Sequence, residues 1–146
     1  AFPISNVPLR PQRFKHKTMT TDVHASPEWE ERWTAGVGKG DYWDTGFASP
    51  ALIDLLEKGA FNTLPKGRAL VPGCGRGYEA VAFGRYGYDS IGLDLSPTGI
   101  LQAQKNLEEE KNPLTGKVEF RSGDFFKFRP EEEGKFDVIL DYTFLW

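Results

Sequence analysis

In the segment Ala69-Leu-Val-Pro-Gly-Cys-Gly-Arg-Gly-Tyr-Glu79, a short apolar run leads directly into glycines at alternate positions. Residues 68–71 are typical of a buried strand, and residues 78–86, followed by Gly87, are typical of a helix with a glycine stop. Glycines between the two elements let a ligand lie against the backbone, whose N–H groups face it from the start of the helix. The stretch therefore predicts a strand, a ligand-binding loop and a helix.

Helices are predicted on both sides of this unit. Three Ser-Pro pairs, in which serine is the N-cap and proline the first helical residue, predict helix starts at Pro27, Pro50 and Pro97. The first two helices are expected near residues 27–35 and 50–58. In the third helix one stripe is predicted to face the core, formed by Ile100, Ala103, Gln104 and Leu107.

Three further strands are predicted at residues 90–93, 117–121 and 136–140. Strands that alternate with helices imply right-handed crossovers and a mainly parallel sheet. The expected fold is α/β, with a Rossmann-like sheet in the strand order 3-2-1-4 and helices on both faces. In such sheets, ligands bind beyond the carboxyl ends of the strands.

The spacing of the glycines favours one class of cofactor over another. A dinucleotide-binding loop needs G-x-G-x-x-G, but Tyr78 occupies the place of the third glycine, and Gly77 lies one position earlier. Gly73 and Gly75 are therefore interpreted as contacts for S-adenosylmethionine. A nicotinamide-dependent oxidoreductase and a tight turn that binds nothing are the alternatives.

Acidic residues follow the second and third predicted strands. Asp94 comes about twenty residues after the glycine loop, where a carboxylate accepts both hydroxyl protons of a ribose and repels a phosphate. Because Ser96 is available to cap the next helix, Asp94 is expected to be free for this contact. Asp124 is placed to accept from an adenine amino group and Phe125 to flank the ring, although such a turn is also common without a ligand.

Tryptophans are concentrated ahead of the glycine loop. Trp29 and Trp33 lie four residues apart on one helical face, and Trp43 follows in a glycine-rich stretch. Such a stripe usually packs in a core. Aromatic faces also stabilise a desolvated cation by about 2 kcal/mol, and the sulfonium of S-adenosylmethionine is a cation that is lost on methyl transfer. The three tryptophans are therefore predicted cofactor contacts that favour S-adenosylmethionine over its product, S-adenosylhomocysteine.

Composition argues against several classes of protein. The 146 residues suffice for one domain, over residues 26–146, preceded by an arm over residues 1–25. A net charge of -3 lacks the basic excess of a nucleic-acid binder, and no apolar run approaches the roughly 18 residues of a membrane span. The single cysteine, Cys74, excludes an internal disulfide and favours a reducing compartment such as the cytoplasm. No metal-ligand cluster is visible, and no catalytic residue is assigned.

These motifs together resemble one known family. The segments that carry the resemblance are Trp29-Glu-Glu-Arg-Trp33, Val71-Pro-Gly-Cys-Gly75, Gly92-Leu-Asp-Leu-Ser96, Gly123-Asp-Phe-Phe126 and Asp141-Tyr-Thr-Phe144. They look like the thiopurine methyltransferase superfamily of class I S-adenosylmethionine-dependent methyltransferases, and within it like the plant and fungal halide and thiol methyltransferases. The resemblance covers residues 28–146 and implies cofactor contacts at Trp29, Trp33, Trp43, Gly73, Asp94, Asp124, Phe125 and Tyr142.

The resemblance also implies a reaction. The acceptor would be a small thiol, hydrosulfide or halide ion, methylated by in-line displacement without a general base, because the nucleophile is an anion. Tyr142 or Asp141 would orient this acceptor. Two features depart from the family: the segment between Trp33 and Trp43 is longer than in plant members, and a sheet of seven strands is here truncated after the fourth. The alternative is a truncated cofactor-binding fragment without turnover.

The end of the sequence suggests how the sheet is completed. Residues 142–146 are apolar at the point where a parallel sheet needs its next crossover helix. A fourth strand at the edge exposes unpaired N–H and C=O groups. We expect self-association through this strand, or a segment absent from this sequence, to cover it. We also expect the isolated chain to bind cofactor weakly and to methylate thiols or iodide poorly.

Overall fold

A computed structural model describes residues 27–144, so the predicted arm over residues 1–25 lies outside the described range. Within that range the helices are α1 Pro27–Thr34, α2 Pro50–Glu57, α3 Tyr78–Arg85, α4 Pro97–Glu108 and α5 Pro130–Glu133. The strands are β1 Arg68–Pro72, β2 Asp89–Asp94, β3 Val118–Ser122 and β4 Val138–Ile139. Short 3-10 turns lie at Ala60–Asn62 and Phe125–Lys127.

The four strands form one parallel sheet in the predicted order β3-β2-β1-β4. β1 pairs along its whole length with β2, so that Pro72 lies opposite Leu93 at their carboxyl ends. β4 pairs with β1 only through Val138 and Ile139 and is shorter than the predicted strand over residues 136–140. The pairing of β4 with β1 begins at Val138, two residues later than predicted. The reason is that the side chain of Asp137, in place of a backbone carbonyl, accepts the N–H of Arg68 at 2.7 Å.

The two faces of the sheet are covered by different elements. Ala69 and Val71 of β1 point into a core that also contains buried apolar residues of α2, α3 and α4. Leu70 points to the opposite face, where it packs with Ile91 and Leu93 and with partly buried phenylalanines, including Phe125 of the second 3-10 turn. Helices α2, α3 and α4 therefore pack on one face of the sheet, and the 3-10 turn Phe125–Lys127 packs on the other. Within residues 27–144 no helix is both long and apolar enough to cross a bilayer.

The buried stripe of α4 differs by one residue from the predicted one. Ile100 and Ala103 are buried and Leu107 is partly buried, as expected, but Gln104 is exposed. Gly99 is buried in addition, because the indole of Trp33 packs over it, and a Cβ at Gly99 would lie 3.0 Å from the indole nitrogen. The buried stripe therefore begins closer to the start of α4, where Trp33 of α1 packs.

Candidate functional site

The glycine loop between β1 and α3 has a backbone that requires glycine at all three alternate positions. Gly73, Gly75 and Gly77 have φ angles of +62°, +51° and +79°, in the left-handed region that side chains with a Cβ rarely adopt. A Cβ at Gly77 would also lie 2.4 Å from the ring of Phe120 on β3. The close packing of Gly77 on Phe120 brings the start of α3 against the sheet. The side of the loop that faces away from Phe120 is left open to a ligand.

Asp94, the last residue of β2, joins the glycine loop to the start of α4. Its Oδ2 accepts the N–H of Gly75 and its Oδ1 accepts the N–H of Ser96, each at 2.9 Å. Burial raises the pKa of Asp94, although these backbone donors lower it in part. Ser96 caps α4 by accepting the N–H of Gly99, as predicted. Asp94 is nevertheless less free than expected, and its remaining lone pairs are the ones available to a ligand.

A cleft opens beyond the carboxyl ends of β1 and β2, where the parallel sheet predicts a ligand site. Seven of the predicted cofactor contacts line it: Trp29, Trp33, Trp43, Gly73, Gly75, Asp94 and Tyr142. The cleft is also lined by residues that were not predicted to contact the cofactor, including Asp44, Thr45, Arg76, Tyr78, Glu79, Thr143 and Phe144.

Asp124 and Phe125 lie outside this cleft. The side chain of Asp124 accepts the N–H of Phe126 at 2.9 Å and so caps the 3-10 turn after β3. Phe125 packs against the second face of the sheet and lies 5.3 Å from the ring of Phe144, which does line the cleft. The two residues are thus near one end of the cleft, and their contact with an adenine stays a prediction.

The three tryptophans form one cluster above the glycine loop. The ring of Trp43 makes edge contacts with Trp29 at 5.4 Å and with Trp33 at 6.0 Å between centroids. Trp29 is 41% exposed, whereas Trp33 is 4% exposed and belongs to the packed interior. The guanidinium of Arg32 lies 4.9 Å from the centroid of Trp29, so the faces of this cluster already accommodate a cation.

Asp44 fixes the segment that carries Trp43 to the glycine loop. Its Oδ2 accepts the Nε–H of Arg76 at 2.6 Å, and its Oδ1 accepts the hydroxyl of Tyr78 at 2.8 Å. The side chains of Asp44 and Arg76 are only 2% and 6% exposed. Burial alone would raise the pKa of Asp44, but the hydrogen bonds from Arg76 and Tyr78 outweigh it and hold that pKa below its usual value.

Besides its pairing with Asp44, Arg76 forms hydrogen bonds to two other segments of the chain. Its terminal nitrogens donate to the carbonyl of Val37 at 2.6 Å and to the side chain of Gln102 on α4 at 2.9 Å. The guanidinium also lies 5.4 Å from the ring centroid of Trp33. One arginine of the glycine loop therefore links α4, the segment after α1 and the tryptophan cluster.

Glu30 holds α1, and with it Trp29 and Trp33, against the start of α4. Its carboxylate accepts the hydroxyls of Ser96 and Thr98 and the N–H of Thr98, the last at 3.2 Å. Donation from Ser96 and then from Thr98 lowers the pKa of Glu30. These contacts join residues more than sixty positions apart, so no local pattern in the sequence indicates them.

The cleft contains no group suited to metal or thiolate chemistry among the residues that the structure describes. No cluster of three metal-ligating side chains occurs between residues 27 and 144. Cys74 is buried, and burial followed by the charges of Asp94 and Glu79 raises the pKa of its thiol well above the usual value. The site is therefore suited to binding and alignment rather than to covalent catalysis by the chain.

Comparisons of sequence identify relatives with the same motifs. The chain is 40% identical over 129 residues to "Probable thiol methyltransferase 2" of Arabidopsis thaliana, covering 88% of this chain and 52% of that protein. It is 37% identical over 115 residues to "Thiocyanate methyltransferase 1" of Brassica oleracea, covering 79% of this chain and 46% of that protein. The chain thus spans about half the length of these relatives.

Solved structures agree on the fold. A structure described as "Conversion of a Disulfide Bond into a Thioacetal Group during Echinomycin Biosynthesis" is 32% identical with a TM-score of 0.55, over 69% of this chain and 40% of that chain. Magnesium protoporphyrin IX methyltransferase from Synechocystis is 21% identical with a TM-score of 0.51, over 81% and 54% of the two chains.

The family assignment combines these likenesses with the motifs. The model of the thiopurine S-methyltransferase (TPMT) family matches residues 24–146, which is most of the sequence. The glycine loop and residues 141–144, which follow β4 and carry part of the resemblance, lie inside that match. The chain therefore belongs to the thiopurine S-methyltransferase family.

Proposed function

We propose that the chain binds S-adenosylmethionine in the cleft and serves the transfer of its methyl group to a small thiol, hydrosulfide or halide acceptor. The observation that carries the proposal is the arrangement of Asp94, the glycine loop and the tryptophan cluster around one cleft. S-adenosylmethionine is the cofactor of the family to which the chain belongs. The relatives named for thiol and thiocyanate methylation support a small sulfur nucleophile as the acceptor.

The chemistry of the cleft fits this cofactor. Three carboxylates line it, from Asp44, Glu79 and Asp94, and the one lining cation, Arg76, is paired with Asp44. The cleft is therefore acidic, whereas the cofactor carries a net positive charge from its sulfonium and amino groups. Asp94 is suited to accept ribose hydroxyls, and the indole faces suit the sulfonium because that cation has no N–H to donate.

The chain's contribution to the reaction is alignment and the exclusion of water. S-adenosylmethionine supplies a methyl group on sulfur, and the new bond from the acceptor to this carbon forms as the carbon–sulfur bond breaks and its electron pair stays on sulfur. Alignment of this kind supplies about 7–11 kcal/mol of the barrier reduction. Asp141 and Tyr142, which follow β4, are proposed to orient the acceptor beside the tryptophans. An anionic acceptor needs no base, so none is assigned.

A labelled methyl group tests this function. The chain is incubated with S-adenosylmethionine labelled in its methyl group, together with iodide, hydrosulfide or a small thiol. The proposal expects labelled methyl iodide, methanethiol or methyl thioether. Binding of the cofactor without product from any acceptor would favour the alternative of a cofactor-binding fragment, in which β4, with Ile139 exposed, is completed by a second copy or by further chain.

Replacing Asp94 by alanine is expected to weaken cofactor binding by about 1–3 kcal/mol, the scale of hydrogen bonds to a charged group. Calorimetric titration with S-adenosylhomocysteine measures this change. Thermal unfolding is the control, since the fold should persist when the N–H groups of Gly75 and Ser96 turn to water. An unchanged dissociation constant would remove Asp94 from the ribose site.

Leucine substitutions of two tryptophans are expected to have different consequences. Trp29→Leu should raise the dissociation constant of the cofactor and leave the melting temperature of the ligand-free protein nearly unchanged, because Trp29 is half-exposed. Trp33→Leu should raise the dissociation constant and lower the melting temperature, because this indole is buried over Gly99. Affinity for the cofactor that stays intact in both variants would leave the cluster with a packing role only.

A further inference from the structure

Among the three carboxylates of the cleft, Glu79 is the one whose charge the fold does not use. Asp44 is paired with Arg76 and accepts the hydroxyl of Tyr78. Asp94 holds the glycine loop to α4 through both of its oxygens. Glu79 accepts the N–H of Ser49, at the start of α2, through Oε1 at 3.0 Å. No lysine or arginine within residues 27–144 forms an ion pair with it.

The ionised form of Glu79 is costly in this position. The residue is 8% exposed, and burial, with the nearby charge of Asp44 as a lesser cause, raises the pKa of its carboxyl above the usual value. Its place in the first turn of α3 offsets only part of this cost. A neutral glutamine would accept the Ser49 N–H equally well, so the structural role does not need a charge. A buried carboxylate without a cation, in the wall of a cleft, is a candidate ligand contact.

The two positively charged groups of the cofactor, the sulfonium and the α-ammonium group, need different kinds of partner. The sulfonium has no hydrogen-bond donor and suits the indole faces of the cluster. The α-ammonium group has three N–H donors and is strongly hydrated, so its transfer into a cleft requires oxygen acceptors and an opposite charge. The last residues of β1, Val71 and Pro72, have no side-chain oxygen that could accept these N–H groups. Asp94 is already assigned to the ribose. Glu79 and Asp94 both line the cleft, but Glu79 is bonded to Ser49 at the start of α2, whereas Asp94 is bonded to the glycine loop.

We propose that the carboxylate of Glu79 binds the α-ammonium group of S-adenosylmethionine and thereby selects ligands that carry the amino-acid part. This inference rests on the proposed function, since it concerns the same cofactor in the same cleft. It makes Glu79 a determinant of cofactor specificity, and it explains why a carboxylate rather than an amide stands at this position.

A pair of ligands that differ in one group tests the inference. S-adenosylhomocysteine and its analogue with hydrogen in place of the α-amino group are titrated into the wild type and into Glu79→Gln. The wild type should prefer the amino-bearing ligand. Glu79→Gln should weaken binding of S-adenosylhomocysteine about tenfold or more and leave the des-amino analogue unchanged. Asp94→Asn is the matched control, and it should weaken both ligands to the same extent because both carry the ribose.

Thermal unfolding of the ligand-free protein gives a second readout. At neutral pH, Glu79→Gln should melt at the same temperature as the wild type or above it, because the amide keeps the bond to Ser49 and removes a buried charge. A lower melting temperature together with equal loss of both ligands would show that Glu79 only supports α2, and so would overturn the inference. Wild-type protein that fails to bind S-adenosylhomocysteine would instead overturn the proposed function itself.

Discussion

Replacing Asp44 by alanine is expected to lower the free energy of unfolding by about 3–5 kcal/mol, as measured by urea denaturation. The reason is that Arg76 would stay buried with its charge unpaired, since its side chain is 6% exposed. The same substitution removes the acceptor for the hydroxyl of Tyr78. Trp43 directly precedes Asp44, so the variant should also bind the cofactor less tightly.

Two controls separate the ion pair from general damage. Tyr78→Phe removes one hydrogen bond to Asp44 and should cost only about 1–2 kcal/mol. In the double variant Asp44→Ala with Arg76→Met no charge is left buried, and much of the lost stability should return. A loss below about 1 kcal/mol in Asp44→Ala alone would contradict the buried pair.

The effect of Asp44 should depend on pH in a defined direction. A carboxyl whose pKa is lower in the folded than in the unfolded protein stabilises the fold above the unfolded value of about 3.9, and this contribution is lost as the pH falls through the folded value. The pKa of Asp44 is lowered in the fold, because its hydrogen bonds outweigh its burial. The difference in stability between wild type and Asp44→Ala should therefore shrink below about pH 4.

Gly77→Ala is expected to cost about 2–5 kcal/mol of stability and to abolish measurable cofactor binding. A φ of +79° strains any residue with a Cβ by about 1–2 kcal/mol. The added methyl group would also lie 2.4 Å from the ring of Phe120, and overpacking of this kind costs about 1–3 kcal/mol more. The loop would have to lift from β3, which would displace the N–H groups that face the cleft.

Gly36→Ala is the matched control for this prediction. Gly36 has a φ of +92°, but a Cβ there would meet no atom within 4 Å. The variant should therefore be destabilised only by its backbone strain, which costs about 1–2 kcal/mol. Equal losses in the two variants would show that the contact with Phe120 carries no energy and that the loop adapts freely.

Local patterns in the sequence were sufficient to predict the strands, helix starts and glycine loop that surround the site. Apolar runs predicted the strands, Ser-Pro pairs predicted the starts of α1, α2 and α4, and alternating glycines predicted the loop, because each depends on neighbours in the chain. The order of the strands was predicted from the Rossmann-like alternation of strands and helices. The start of β4 was predicted two residues too early because the side chain of Asp137, which periodicity does not detect, replaces a backbone acceptor.

The contacts that shape the cleft were not predictable in the same way. Asp44 and Arg76 are 32 residues apart, and Ser49 and Glu79 are 30 residues apart. Neither pair has a spacing that any helix or strand repeats, so only the assembled fold brings them together. A signal was present in Arg76 and Glu79 themselves, since charged residues in or beside a glycine loop that packs on a sheet need partners.

Calorimetric titration of the chain with S-adenosylhomocysteine, and in parallel with NAD, tests whether the cleft is a site for S-adenosylmethionine. We expect saturable binding of S-adenosylhomocysteine to one site per chain and no heat of binding with NAD, because the glycine spacing and the acidic cleft suit the first ligand only. Binding of NAD, or no binding of S-adenosylhomocysteine, would contradict the assignment of the cleft.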